Sequence, residues 1–423
     1  MNALILFGVF FVLLFLNVPI AISLGVSSIV TTLACNLSLN MVATNLYSAS
    51  NKYVLLAIPF FILAGNIMEV SEISTKLIAF FKSLVGHTKH GLAMVCVVVA
   101  CFFAAISGSG PATVAALGGI LIPAMTNSGY DRSTSAALMS TAGAIGIVIP
   151  PSITFVVYGS VTGTSIGSLF ISGIVPGIII GIFIYYTMVL FSRGRTIVPA
   201  PKASGKERWA AFKDSVGGLL MPVIILGGIY GGIFTPTEAA AVSAVYGLVI
   251  GIFIYKTLKI KQLKKILIDT ASTTATVMFI TAAATLFAYV LTRARIDVAI
   301  SGMLTDIAGG NQIIFLLIVN VVLLIAGCFL DSTSALYIFT PLFVPVAQAL
   351  GMNLIHFGTI MIVNLAIGLV TPPVGVNLYV ACGIADTSLK KISVSVIPLL
   401  VAALIVLLLV TYVPSLSLCL LGG

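Results

Sequence analysis

A chain of 423 residues that is 60% hydrophobic and only 7% charged is not an ordinary soluble domain, where about a quarter of the residues carry charge. In so apolar a chain the net charge of +9 marks loops that face the cytoplasm rather than a nucleic-acid partner. Three histidines and six scattered cysteines, none in a C-x-x-C pair, leave little material for a metalloenzyme or a disulfide scaffold.

Taken in order, the elements read as follows. The opening run "MNALILFGVFFVLLFLNVPIAISLG" lacks a basic n-region and a convincing cleavage site, so it is expected to be a retained membrane segment. Residues 3–70 supply the first scaffold spans, kinked near Asn17–Pro19, and 71–86 form an amphipathic arm on the cytoplasmic surface. Residues 91–127 enter the membrane and turn back at Ser107-Gly108-Ser109-Gly110-Pro111. The apolar flanks of that tip are about 15 residues each, too short for comfortable spans at 1.5 Å per residue. Residues 133–158 cross outward, broken at "IPPS", and 168–191 return. A basic stretch follows, with 201–215 expected to be a cytoplasmic linker. The second half has scaffold spans in 216–292, an arm at 293–308 and a hairpin at 311–350 with its tip at Leu330-Asp331-Ser332-Thr333. A broken span at 357–383 and a final span at 392–418 complete it.

The two halves, 1–200 and 216–423, share landmarks at one spacing of 222 residues. Pro150 falls on Pro372, Pro123 on Pro345 and Gly129 on Gly351. With the basic clusters all placed in the cytoplasm, 17 of the 20 Lys and Arg lie inside, leaving Lys52, Arg293 and Arg295 outside. The second half must then run upside down relative to the first. The expected fold is therefore an all-α polytopic membrane protein of two inverted-topology repeats, with re-entrant helical hairpins and broken transmembrane helices. Inverted repeats of this kind are the architecture of many secondary transporters.

Non-helical backbone in lipid leaves unpaired N–H and C=O groups, each costing several kcal/mol, unless it is buried in protein or lines a wet cavity. This chain has four such breaks: the two hairpin tips and the stretches Gly146–Ser152 and Gly368–Asn377. Freed carbonyls and hydroxyls are hard ligands suited to Na⁺, and half-helix N-termini are suited to a carboxylate. Inverted symmetry would gather all four near the midplane. Some residues have plainer roles open to them. Asp331 is an ionisable group at membrane depth or simply a helix N-cap. Glu238 in "TPTE" reads as a capping box on Thr235, and Glu69 and Glu72 as solvated residues beginning the arm.

The motifs "LLAIPFFILAGNIM", "AAISGSGPATVAALGGILIPAM", "GAIGIVIPPSI", "GIFTPTEAAAVSAVYG", "FLDSTSALYIFTPLFVPVA" and "LVTPPVGVNLYVACGIA" span nearly the whole chain. Together they resemble the large membrane subunit of tripartite ATP-independent periplasmic (TRAP) transporters. The resemblance implies a multi-pass protein of the bacterial inner membrane, built as an elevator-type scaffold plus transport domain, that imports an organic acid together with two or more Na⁺ ions. Sialic acid is favoured as the substrate and a C4-dicarboxylate comes next. It implies two protein partners, a small four-helix membrane subunit on a separate polypeptide and a periplasmic substrate-binding protein. Carried onto this sequence, one Na⁺ site falls between Ser107, Gly108 and the stretch holding Gly146, Val148 and Pro150. A second falls between Asp331, Ser332, Thr333 and the stretch holding Gly368, Thr371 and Pro372. The substrate carboxylate falls near Ser109, Gly110, Pro151, Ser152, Pro373, Gly375 and Asn377. Membrane lipid surrounds the protein, and no role for nucleic acid is implied. Rival readings are an ion-coupled carboxylate carrier that needs no binding protein, and a channel. An intramembrane enzyme is disfavoured because no G-x-S-x-G, H-E-x-x-H or paired catalytic aspartates occur.

Overall fold

The computed structural model describes residues 2–422, which form twenty α-helices and no strand. The chain opens with α1 (Asn2–Phe15) and α2 (Ile20–Ala34), packed on each other as a hairpin. The break between them is local chemistry. Pro19 has no N–H to give the preceding turn, and Asn17 takes a left-handed φ of 62°. Buried Ser and Thr residues on α2 return their hydroxyls to its own carbonyls, Ser28 to Leu24 at 2.6 Å and Thr31 to Ser27 at 2.8 Å. That local closure lets a polar stripe sit inside an apolar bundle.

After α3 (Asn40–Ser50), a 3₁₀ turn leads into α4 (Ala57–Val70), and the amphipathic arm is α5 (Ile73–Val85). The first hairpin is α6 (Gly91–Ser107) and α7 (Gly110–Asn127). The first broken span is α8 (Arg132–Ala144), an unwound stretch and α9 (Ile153–Thr162), followed by α10 (Ile166–Phe191). The second half holds α11 (Gly205–Tyr230), α12 (Pro236–Val249), α13 (Ile260–Arg293) and the arm α14 (Ile296–Ala308). Its hairpin is α15 (Gln312–Phe329) and α16 (Ser332–Ala349), and its broken span is α17 (Leu354–Gly368) with α18 (Val376–Ala385). The chain ends in α19 (Leu389–Tyr412) and the short α20 (Ser415–Leu418).

The helix starts at Gly110 and Arg132 recur at Ser332 and Leu354, 222 residues on. Gly129 and Gly351 both take positive φ, and the Pro150–Pro151 and Pro372–Pro373 bonds are both cis. The halves differ most visibly before their hairpins. Where the first uses α3, a 3₁₀ turn and α4, the second runs α13 as a single helix of 34 residues.

The expected linker at 201–215 is shorter than the sequence reading placed it, because α11 already begins at Gly205. Ser204 and Glu207 form a reciprocal capping box, with the Ser204 N–H donating to Glu207 Oε2 at 2.6 Å and the Glu207 N–H to Ser204 Oγ at 3.3 Å. Phe212 then packs its ring 5.7 Å from that of Phe80 on the arm. The same chemistry sets the start of α12, where Thr235 and Glu238 make the capping box read from the sequence.

The helices sort into two bundles. In one, α4 lies along α12, α5 along α11, and α1 to α4 against α13, with Phe7 and Phe10 meeting Phe287 at 5.7 and 5.9 Å. In the other, α7 and α8 pack on α18, α10 on α19, α9 on α16 and α15 on α17. This second bundle contains a buried polar ladder. The Asn364 amide donates to Asn320 Oδ1 at 2.9 Å, and the Asn320 amide to Thr411 at 3.0 Å. Among the described residues, seven helical segments are long and apolar enough to cross a membrane.

Candidate functional site

The first hairpin ends because Gly108 takes φ 60° as the left-handed cap of α6, a conformation glycine enters without a Cβ clash. Ser109 then caps α7, accepting from the Ala112 N–H at 3.5 Å, with Pro111 in the first turn. The tip collects oxygens. Ser107 Oγ and Thr113 Oγ1 lie 2.9 Å apart, and the Thr113 hydroxyl donates to the Ser109 carbonyl at 2.8 Å.

Gly146 sits directly behind this cluster. A Cβ placed on it would be 3.2 Å from Thr113 Oγ1 and 3.4 Å from the Ser109 carbonyl oxygen. At the second tip Asp331 caps α16, with one carboxylate oxygen accepting from the Ser334 N–H at 3.0 Å and the other from the Ser334 hydroxyl. The capping role open to Asp331 in the sequence is thus real. Next to it, the buried Ser332 hydroxyl has no hydrogen-bond partner among the described residues.

Both tips line one cavity of about 260 Å³. Ser107, Gly108, Ser109 and Gly110 come to it from the first tip, and Asp331, Ser332 and Thr333 from the second. The broken spans reach it through other residues than those expected: Ile147 and the α9 start at Ile153 and Thr154 in the first half, Leu369 and the α18 start at Val376 in the second. The expected ones lie behind the wall. The Val148 carbonyl lies against Gly173 of α10. The Ser152 hydroxyl donates to the Ile147 carbonyl at 2.6 Å, sharing that acceptor with Thr154. Pro150 is buried, and the Pro151 carbonyl backs the Gly108 turn.

In the second half Gly368 meets Gly327 backbone to backbone, and the Thr371 hydroxyl donates to the Ile367 carbonyl at 2.7 Å. The Gly375 N–H donates to the Cys328 carbonyl at 3.4 Å, tying this stretch to its hairpin. Pro372 is half-buried and Pro373 exposed, whereas the first proline pair is buried, so the symmetry is incomplete here. Asn377 is fully buried. Its amide donates to the Ser140 carbonyl at 3.0 Å, its Oδ1 lacks a partner, and it packs beside Gly110 at the start of α7.

The far wall of the cavity comes from the other bundle and was missed in the sequence. Gly65, Asn66 and Glu69 of α4 and Thr273 of α13 line it. Asn66 is steadied by donating to Thr270 of α13 at 2.9 Å. Glu69 is therefore not simply the solvated start of the arm; it stands at the cavity wall. The available signal was spacing, since Asn66 and Glu69 are three apart on one face of an otherwise apolar helix. Thr113 was missed as well. It stands four residues after the cap Ser109, the separation at which a helical threonine turns back on a carbonyl. Among the described residues that line the cavity there is no Lys, Arg or His. Two of them carry carboxylates, and the N-termini of α7 and α16 face in.

Comparison with known proteins matches this chain over residues 7–416 to the family described as "Tripartite ATP-independent periplasmic transporter, DctM component". The C4-dicarboxylate TRAP transporter large permease protein DctM of Pseudomonas aeruginosa is 44% identical, over 94% of this chain and 93% of that protein. The sialic acid TRAP transporter large permease protein SiaM of Vibrio cholerae is 36% identical, covering 96% of each. The isethionate TRAP transporter permease protein DctMQ of Oleidesulfovibrio alaskensis is 42% identical over 97% of this chain but 65% of its own length. Among solved structures, the YdaH transporter of Alcanivorax borkumensis superposes with a TM-score of 0.64 at 14% identity, covering 88% of this chain and 86% of that one. This last likeness is one of fold alone.

Proposed function

Because this chain belongs to the DctM component family of tripartite ATP-independent periplasmic transporters, and is thus a multi-pass large permease of the bacterial inner membrane, we propose that it moves a small organic acid inward together with Na⁺. The observation that carries this reading is the makeup of the cavity wall. An anion placed there meets Asp331 and Glu69 and no basic side chain. Two helix N-termini, each worth about half a positive charge, offset only part of that. Bound cations complete the balance, and the oxygens to hold them are in place. Ser107, Thr113 and the Ser109 carbonyl cluster beside Gly146, and the unpartnered Ser332 hydroxyl lies beside Asp331. Anion and cation then each make the other's binding favourable, which is the physical content of symport.

The cavity lies on the seam between the two bundles. Its α4 and α13 wall belongs to the scaffold, and the tips belong to a transport domain that slides along that wall as a rigid body, carrying the site across the membrane. Glu69 stands in the last turn of α4, near Lys265 and just before the arm that carries Lys76, so under the charge bias the cavity is read as opening toward the cytoplasm.

A small membrane subunit and a periplasmic binding protein complete the transporter, the latter delivering the acid. The relatives named for C4-dicarboxylates are more similar to this chain than the one named for sialic acid, so a C4-dicarboxylate takes first place ahead of the sialic acid favoured by the overall resemblance. The test is uptake into proteoliposomes holding the assembled membrane subunits, with succinate, sialic acid and isethionate offered in turn. Uptake of one acid that depends on its binding protein is expected. Equal uptake without the binding protein supports a stand-alone carrier instead.

A further inference from the structure

At the end of the transport bundle away from the first cavity's far wall, the ends of α8, α10 and α19 enclose a cleft of about 190 Å³. Its mouth is polar. Arg195, just past the end of α10, stands with Thr134 in the first turn of α8 and Ser395 on α19. Ser395 is fixed there by a 2.8 Å hydrogen bond with Ser133. The walls below are apolar. Phe191 and Val394 are largely exposed, and Leu399 forms part of the floor.

The charge around the mouth is one-sided. The loops and helix ends at this end carry Arg132, Arg193, Arg195, Lys390 and Lys391 against Asp131 and Asp386. Asp131 is engaged as the α8 cap, accepting from the Ser133 and Thr134 N–H groups at 3.1 and 3.2 Å and from both of their hydroxyls, and it offsets part of the charge of Arg195. By the same charge bias this end faces the cytoplasm. A cationic mouth above an apolar groove between two membrane helices matches one kind of molecule, with an anionic head and a hydrocarbon tail.

We propose that the cleft binds an anionic glycerophospholipid of the inner leaflet, its phosphate at Arg195 and an acyl chain along Phe191, Val394 and Leu399. A basic residue near the headgroup layer contributes enough to change occupancy about fivefold. The groove adds shape that a merely annular lipid does not see. The site lies outside the substrate cavity, so the proposal does not depend on the substrate.

The test is native mass spectrometry of the full chain with its membrane partner in a neutral detergent, titrated with phosphatidylglycerol or phosphatidylcholine of matched chains. The wild type is expected to keep one phosphatidylglycerol under activation that strips phosphatidylcholine. Arg195→Gln should lower that retention about fivefold, and Arg195→Lys should restore part of it. Val394→Trp, which fills the groove and leaves the charges in place, should lower it too and decides the matter if Arg195→Gln does not fold. Equal retention of the two lipids, unchanged retention in both Arg195→Gln and Val394→Trp, or displacement of the lipid by inorganic phosphate would each overturn the proposal.

Discussion

The contact between Gly327 on α15 and Gly368 on α17 makes a sharp quantitative demand. A methyl group on Gly368 would stand 2.6 Å from the Gly327 Cα, 2.9 Å from its carbonyl carbon and 3.1 Å from its oxygen. Non-bonded carbons rest at about 3.5–4.0 Å, so the two helices must part by roughly 1 Å. Every obstructing atom is backbone, and no side chain can swing aside. Overpacking of this kind costs about 2–3 kcal/mol. Gly146 holds the matching position in the first repeat, yet its Cβ would meet Thr113 Oγ1 at 3.2 Å and Ala104 Cβ at 3.3 Å. A shift of a few tenths of an ångström relieves that, for about 1 kcal/mol or less. Gly368→Ala should therefore melt well below the wild type while Gly146→Ala stays close to it. Thermal unfolding followed by a thiol-reactive dye is a suitable assay, since Cys96 and Cys328 are buried and free. A Gly368→Ala protein that melts with the wild type, or a Gly146→Ala protein that melts lower, would refute the backbone-contact argument.

Three further substitutions separate local stability from transport. Asp331→Asn keeps an N-cap of nearly equal quality and should leave the melting temperature almost unchanged while uptake is lost; Asp331→Ala removes the cap as well, at about 1 kcal/mol. Thr113→Val keeps the shape but deletes a hydroxyl from the first tip and should raise the Na⁺ concentration for half-maximal uptake about tenfold, with little change in folding. Asp131 is held below the ordinary carboxylate range, first by the Ser133 hydroxyl and then by the Thr134 N–H, Arg195 and the Ser133 N–H, against a smaller opposing effect of burial. Its contribution to the α8 cap is thus present above the unfolded carboxylate pKa and fades as pH falls through the lower folded value. Melting curves of wild type and Asp131→Ala should then differ at neutral pH and converge in acid.

The architecture was readable because it rests on chain chemistry that no packing can hide. Prolines, glycines and capping residues recur at one spacing in the two halves. The hairpin tips were legible for the same reason, since Ser107–Pro111 and Leu330–Thr333 interrupt apolar runs that nothing else would interrupt. The individual atoms of the unwound stretches were not legible. Which carbonyl is free depends on what packs behind it, and Gly173 against Val148, or Ser152 and Thr154 over Ile147, is information held in the tertiary contacts. Asn66, Glu69 and Thr273 were hidden more deeply, because a polar residue on a long apolar helix carries no sign of which bundle it will face. The linker was overdrawn because the capping box at Ser204 was passed over, although the residues that make it are local.

The account stands most directly on one measurement, the uptake of labelled succinate by the reconstituted transporter with its binding protein, driven by an inward Na⁺ gradient and repeated with K⁺ on both sides. Accumulation that follows the Na⁺ gradient and vanishes in K⁺ is the predicted result. Undiminished accumulation in K⁺ would contradict the claim that cations balance the anion in the cavity between the two tips.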